Sequence, residues 1–270
     1  MALEQSPEEQ AGRVWAPRWW AVFGIGLLLW IGSVVATYLT SDIILLPTVI
    51  LLGSFLVPVT AVVWYVDHDP SPVLSPRRIF TAFIVAAVIG VLAASLMEYY
   101  LVRRGFFGNI EVGLIEEFVK GALVVIVAIG IRTFHTRDGI ALGAAVGFGF
   151  AALESSGYAL VSLFVVQGHH LFLSLISVVT NELVRGLLSR FAHGMWSAVI
   201  GGAVFAAAKR DRRLRLAWSV VIAYLGVALL HAAFDSIGGI LGYAIISFVG
   251  LVPLVWMWRR GDGHRSVGPA

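Results

Sequence analysis

The sequence predicts an all-α integral membrane protein, a polytopic helical bundle of about eight transmembrane helices. Three observations predict it. Of the 270 residues, 59% are hydrophobic and only 13% are charged, with a mean hydropathy of +0.89; a soluble domain carries about twice that share of charge. The apolar residues fall in runs of about 20, the length that crosses a bilayer core. Most basic residues sit in short loops between those runs, as the positive-inside rule describes. The formal net charge of +3 therefore reports topology, and no nucleic-acid partner is expected. The chain has no cysteine, which excludes disulfides, thiolate zinc sites and cysteine nucleophiles.

In chain order, residues 1–17 read as a polar, disordered tail, and 18–260 as one integral membrane domain. The run Trp19–Leu39 is too long for a signal-peptide core and forms the first span. The Ser41-Asp42 turn leads to a second span, 43–66, with Pro47 and Pro58 as possible kinks. Asp67-His68-Asp69-Pro70 opens a proline-rich loop, better read as solvated than as a metal site. The third span is 79–102, with Glu98 near its end reaching interfacial water. The fourth is 112–131. The fifth, 139–166, is rich in small residues, and Gly143 and Gly147 make a face for close helix packing. His169-His170 lies in a connection and reads as solvent-facing. Residues 171–190, interrupted by Asn181, Glu182, Arg185 and Arg190, predict a helix against the bundle or at the interface rather than a clean span; Glu182 and Arg185 are spaced to pair. The sixth, seventh and eighth spans cover 193–208, 216–236 and 239–258, with a tail at 261–270.

This count puts the N-terminus, the Arg77-Arg78 loop, the Arg132–Arg137 loop, the 209–215 loop and the C-terminus on one side. Five basic residues in 209–215 make that side the cytoplasm, with Arg103-Arg104 the exception. The expected location is the plasma membrane with both termini cytoplasmic.

Glu116-Glu117-Phe118-Val119-Lys120 stands inside the fourth span. Each charge there costs roughly 3 kcal/mol on insertion scales. Lys120 follows Glu116 by four residues and Glu117 by three, so it can pair with either. A helix-gluing ion pair needs only one carboxylate; the second is available for proton chemistry.

Depth ties this group to other anomalies. Counting 1.5 Å per residue from the outer ends, Glu116 and Glu117 lie about 8 Å in and Glu154 about 18 Å in. His193 opens the sixth span, and His231 and Asp235 come late in the seventh. All fall in the outer half of the bilayer or near its middle, as the walls of one outward-opening polar cavity would. Two chemistries fit. In one, Glu154, His193 and His231 hold a divalent metal, zinc first, and one of the paired glutamates activates water. Asp235, four residues after His231, would orient the imidazole from outside the metal's own ligands. In the other, a glutamate is the base without a metal and histidines stabilise the oxyanion. No His-Glu-x-x-His motif is present to decide between them.

Glu116-Glu117-x-x-Lys120, Phe150-x-x-x-Glu154, His193 and His231-x-x-x-Asp235, in this order on successive spans, resemble the PrsW family of intramembrane proteases. That family is distantly similar to CAAX prenyl endopeptidases and bacteriocin-immunity membrane proteins. The resemblance covers residues 111–236. It implies a polytopic protease that cuts a membrane-anchored protein, such as an anti-sigma factor, near the extracytoplasmic face, and that is classed with metallopeptidases. Here Ser155 follows Glu154 where the family often has asparagine, and Phe118-Val119 replace a frequent proline. A proton or cation transporter would also use intramembrane Glu, His and Lys, but no repeated halves are visible. A binding membrane protein of the immunity type would not need the ordered motifs. The expected substrate is a protein that spans the bilayer once.

Overall fold

The computed structural model describes residues 18–68, 71–103, 105, 107–167, 170–187, 189–237 and 239–261, with the side chains of 185–187 outside that description. The polar tail expected at 1–17, Asp69, Arg104, His169, the Glu182–Arg185 pairing and all but the first residue of the C-terminal tail lie outside the described residues. The rest is a helical membrane protein.

Helix α1 (Trp19–Thr40) ends at Ser41, whose left-handed backbone returns its N–H to the Thr37 carbonyl. A 3-10 turn at Ile43–Leu45, held by the Asp42 side chain, leads into α2 (Leu46–His68). Pro47 falls in the first turn, where a missing N–H is harmless. The α2 helix runs on through Asp67 and His68, where a loop was expected. Asp67 accepts a hydrogen bond from the Trp19 N–H at 3.0 Å, and the His68 ring stacks on Trp64 at 5.2 Å. Helix α3 (Pro76–Leu101) starts at the Ser75 cap and widens to a π-turn at Ala86–Gly90, which the sequence did not announce. Helices α4 (Gly108–Ala128) and α5 (Thr136–Ser162) follow.

The fifth span was expected to reach Val166, but α5 stops at Ser162. Strand β1 (Phe164–Gln167) then pairs antiparallel with β2 (His170–Leu173). Hydropathy cannot tell an apolar strand from the end of an apolar helix, and Val165-Val166 favours the strand. His170 is exposed, as expected. Helix α6 (Leu175–Leu187) has 13 residues, about 20 Å, and is too short to cross. It is held by its buried Glu182, which accepts from Ser54 Oγ of α2 at 2.6 Å and from the Arg190 guanidinium. Helices α7 (Ser189–Asp211), α8 (Trp218–Ile237) and α9 (Gly239–Arg260) complete the chain. Lys209, Arg210 and Asp211 end α7 rather than sitting in a loop, and Asp211 pairs with Arg215 at 2.5 Å.

Among the described residues, seven helical runs are long and apolar enough to cross a membrane, with α6 and α7 in one run. The eighth crossing is α4, whose central charges interrupt its apolar run although its 21 residues reach about 31 Å.

Helices α5 and α7 form the tightest pair, and their register fixes the topology. Gly139 abuts the Gly201 carbonyl, Gly143 that of Ser197, and Gly147 that of His193, so the two helices run antiparallel. The end of α7 therefore lies beside the start of α5, and residues 171–190 do not cross. Arg137 Nε donates to the Trp258 carbonyl at 3.4 Å, which brings the end of α9 to the same place. The Trp19–Asp67 bond pairs the start of α1 with the end of α2. At the opposite end of the bundle, Asn109 Nδ2 donates to Ser236 Oγ at 2.9 Å, joining the start of α4 to the end of α8.

Candidate active site

Four helices bring their anomalous residues into one cluster, and close backbone approach makes it possible. A side chain at Gly113 of α4 would meet the Ala228 carbonyl at 2.6 Å and His231 Cβ at 3.4 Å, so glycine lets α8 lie directly against α4. Gly147 does the same for α7 at the His193 carbonyl. On α4, Glu116, Glu117 and Lys120 face inward and are buried, while Phe118 faces out.

The Lys120 ammonium is central. Its Nζ donates to Glu117 Oε1 at 2.7 Å and to His193 Nδ1 at 2.8 Å, and stands 3.1 Å from Glu116 Oε2. It also lies over the Phe150 ring, 4.4 Å from its centroid. This places Phe150, the first residue of the second motif, as a cation-π wall. His231 Nδ1 is 2.9 Å from Glu117 Oε1, and its Nε2 is 3.8 Å from Glu116 Oε2. His193 Nδ1 is 3.9 Å from Glu116 Oε2, and its Nε2 is 3.4 Å from Glu154 Oε2. The two imidazoles stand edge to face at 4.9 Å. Trp196, one turn after His193, stacks on His231 at 5.0 Å and completes the floor.

Every residue singled out from the sequence is thus in one place: Glu116, Glu117, Lys120, Glu154, His193, His231 and Asp235. Asp235 Oδ2 lies 3.4 Å from His231 Nε2, and its side chain is 37% exposed. The Glu154 side chain is 14% exposed, against full burial of Glu117 and Lys120. The cluster therefore opens past Glu154 and Asp235, toward the end of the bundle that carries the hairpin.

Three relationships were not legible in the sequence. Glu117, not Asp235, holds His231 Nδ1. Trp196 gave no signal, being one tryptophan among 9. Glu98 of α3, expected only to reach interfacial water, is near enough to Glu154, His231, Lys120 and Asp235 to feel their charge. A glutamate on an apolar helix was its signal, but spacing within α3 cannot show which helix it faces. Ser155, where an amide was expected, has its Oγ buried with no hydrogen-bond partner.

The ligand atoms of Glu116, His193 and His231 lie within 4.8 Å of one another. Two imidazoles and one carboxylate, with the remaining position open, are the donor set of a catalytic zinc centre. The 3.8 Å and 3.9 Å edges to Glu116 Oε2 are near the ~3.4 Å edge of a tetrahedron with zinc-like bond lengths. Each imidazole also has a carboxylate at its other nitrogen, Glu154 for His193 and Glu117 for His231, the usual orienting partner of a metal-bound histidine. The residues fit a divalent metal.

Comparison with known proteins gives the family. A family model described as PrsW family intramembrane metalloprotease matches residues 71–258, a stretch that takes in α3 and Glu98. The chain is similar to the protease PrsW of Halalkalibacterium halodurans, 28% identical over 162 residues, which are 57% of this chain and 67% of that protein. It is also similar to the protease PrsW of Bacillus subtilis, 24% identical over 210 residues, 74% of this chain and 87% of that one. No solved structure matches.

Proposed function

The chain belongs to the PrsW family of intramembrane proteases, and on that premise we propose that it hydrolyses a peptide bond of a membrane-anchored, single-span protein of the anti-sigma-factor type, near the extracytoplasmic face of the plasma membrane. One observation carries the reading. Glu116, Glu117, Lys120, Glu154, His193 and His231 converge from four helices on a buried cluster with a single partly exposed rim.

Glu116 and Glu117 each keep one oxygen, Oε2, buried without a hydrogen-bond partner. Glu117 Oε2 is thereby open to take a proton, and Glu116 Oε2 either to hold a metal or, without one, to act as the base. The distances favour Glu116, His193 and His231 as the metal ligands, with Glu154 orienting His193 instead of binding directly. A bound divalent metal, zinc in the first instance, would polarise the scissile carbonyl and the attacking water. Glu117 Oε2 then takes the water's proton as general base and returns it to the leaving amide nitrogen. Its Oε1, held by Lys120 and His231, keeps the carboxylate in place for this. Lys120 places a positive charge beside the paired glutamates, where it offsets part of their charge and stabilises the oxyanion. Among the described residues, the Lys120–His193 contact is the observation that favours the metal-free variant, in which Glu116 Oε2 is the base.

The side of attack follows from the basic residues. Arg18, Arg77, Arg78, Arg137, Lys209, Arg210, Arg259 and Arg260 all lie at the end of the bundle away from the rim. By the positive-inside rule that end is cytoplasmic, with both termini on that side. Counted from the other end, Glu116 and Glu154 lie about 12 Å in, His231 about 9 Å and His193 about 6 Å. The earlier end of α5 removes the outlying depth expected for Glu154. A substrate helix frays most easily there, because water satisfies its freed backbone groups.

The test is cleavage by the purified protein in liposomes, using a single-span protein with its outer flank exposed. New termini on that flank, absent with Glu117→Gln, are expected. Cuts confined to the cytoplasmic flank, or wild-type turnover in a Glu116→Gln/Glu117→Gln double variant, would overturn the reading.

A further inference from the structure

We propose that the Lys120 ammonium is the resting occupant of the cation position in this site, and that Lys120 and a divalent metal hold Glu116 and His193 in alternation, never together. The proposal rests on the site assigned above and concerns how it is loaded.

The geometry is that of a caged cation. An ammonium has three N–H donors. Two of those of Lys120 go to Glu117 Oε1 at 2.7 Å and His193 Nδ1 at 2.8 Å, and the ammonium stands 3.1 Å from Glu116 Oε2 as an ion pair. The Phe150 ring closes a further side at 4.4 Å. Two of these three contacts, Glu116 Oε2 and His193 Nδ1, are atoms that a metal needs.

Exclusion follows from valence before electrostatics. His193 Nδ1 has one lone pair, and it accepts either the lysine N–H or a metal bond. A metal at bonding distance from that nitrogen would also stand within about 3 Å of the ammonium. A dication and a monocation at that range in a buried site repel strongly. The lysine is the movable partner, since its four-carbon stem can swing while the imidazole is pinned by Glu154 and stacked near Phe150. Glu117 Oε1 remains as its anchor. The cluster is thus preformed without metal, and metal affinity is set by the release of Lys120 from two ligands.

The experiment measures zinc binding to the purified full-length protein in detergent, by competition with a chromophoric chelator. Four chains are compared: wild type, Lys120→Met, Lys120→Arg, and the charge-balanced Glu117→Gln/Lys120→Met. Lys120→Met is expected to bind zinc at least about tenfold tighter than wild type, because the competing cation is gone; the double variant should gain less, because it also loses the Glu117 carboxylate behind His231. Lys120→Arg, which keeps the charge, is expected to bind no tighter. Melting curves identify folded variants, and the double variant guards against Lys120→Met failing to fold. Wild type alone supplies a second readout: saturating zinc should raise the acylation of Lys120 seen by mass spectrometry. Equal or weaker zinc binding in the folded methionine variants, no zinc binding to any chain, or unchanged Lys120 acylation would each overturn the proposal. Cleavage of a membrane substrate on the same preparations is read separately, so a wild type that cleaves while the zinc results fail leaves the protease reading standing.

Discussion

Glu117 does two jobs with its two oxygens. Oε1 accepts from Lys120 and lies against His231 Nδ1, while Oε2 is buried and free of hydrogen bonds. Replacing it with glutamine keeps the shape and removes the base, so turnover should fall by about 10²–10⁴ with expression unchanged. Glu116→Gln should fall as far, since it removes either a ligand or the alternative base. A cleavage assay normalised to folded protein checks both, and wild-type rates in either variant would exclude that residue. The metal has its own test at this scale. A rigorously metal-stripped preparation should be inactive and recover with added zinc; full activity after stripping would leave the metal-free variant of the mechanism.

At the scale of elements, the pairing of α5 with α7 delivers His193, and the lock on α6 keeps the start of α7 in place. Gly147 meets the His193 carbonyl directly, so Gly147→Leu must push α7 away. Overpacking of this kind costs about 1–3 kcal/mol. It should lower the melting temperature and activity together, whereas Gly157→Ala, open to space on the same helix, should change neither. The buried Glu182–Arg190 pair is a separate lock. Glu182→Leu takes a buried carboxylate from the Arg190 guanidinium and should destabilise by about 3–5 kcal/mol, while adding Arg190→Met should recover part of the loss. Equal melting points for the single and double variants would refute this account.

For the whole molecule, sidedness is the testable quantity. Single cysteines introduced into this cysteine-free chain report it without background. Arg213→Cys should react with a membrane-impermeant maleimide only in inverted vesicles or after permeabilisation. Val166→Cys, exposed on the hairpin, should react from outside in intact cells. The reverse pattern would invert the protein and move the proposed cut to the cytoplasmic face. Neither residue is part of the cluster, so labelling reports topology.

The sequence by itself determined the membrane class, the crossing α-helices and which residues are the candidates for the site. The reason is physical: a charge inside an apolar run is costly enough to stand out wherever it occurs, and run length alone marks a span. Glu116, Glu117, Lys120, Glu154, His193, His231 and Asp235 were all visible for that reason. The hairpin was not, because hydropathy is blind to the difference between Val165-Val166 in a strand and in a helix end. Whether 171–190 crosses was equally hidden, and only the antiparallel register of Gly139, Gly143 and Gly147 against α7 answered it. The roles within the cluster came last. Spacing along α4 lets Lys120 reach either glutamate, but distances between helices decide that it also holds His193, that Glu117 faces His231, and that Glu116 stands between both imidazoles. Contacts between segments far apart in the chain leave no periodicity in either segment, so only the packed bundle could decide them.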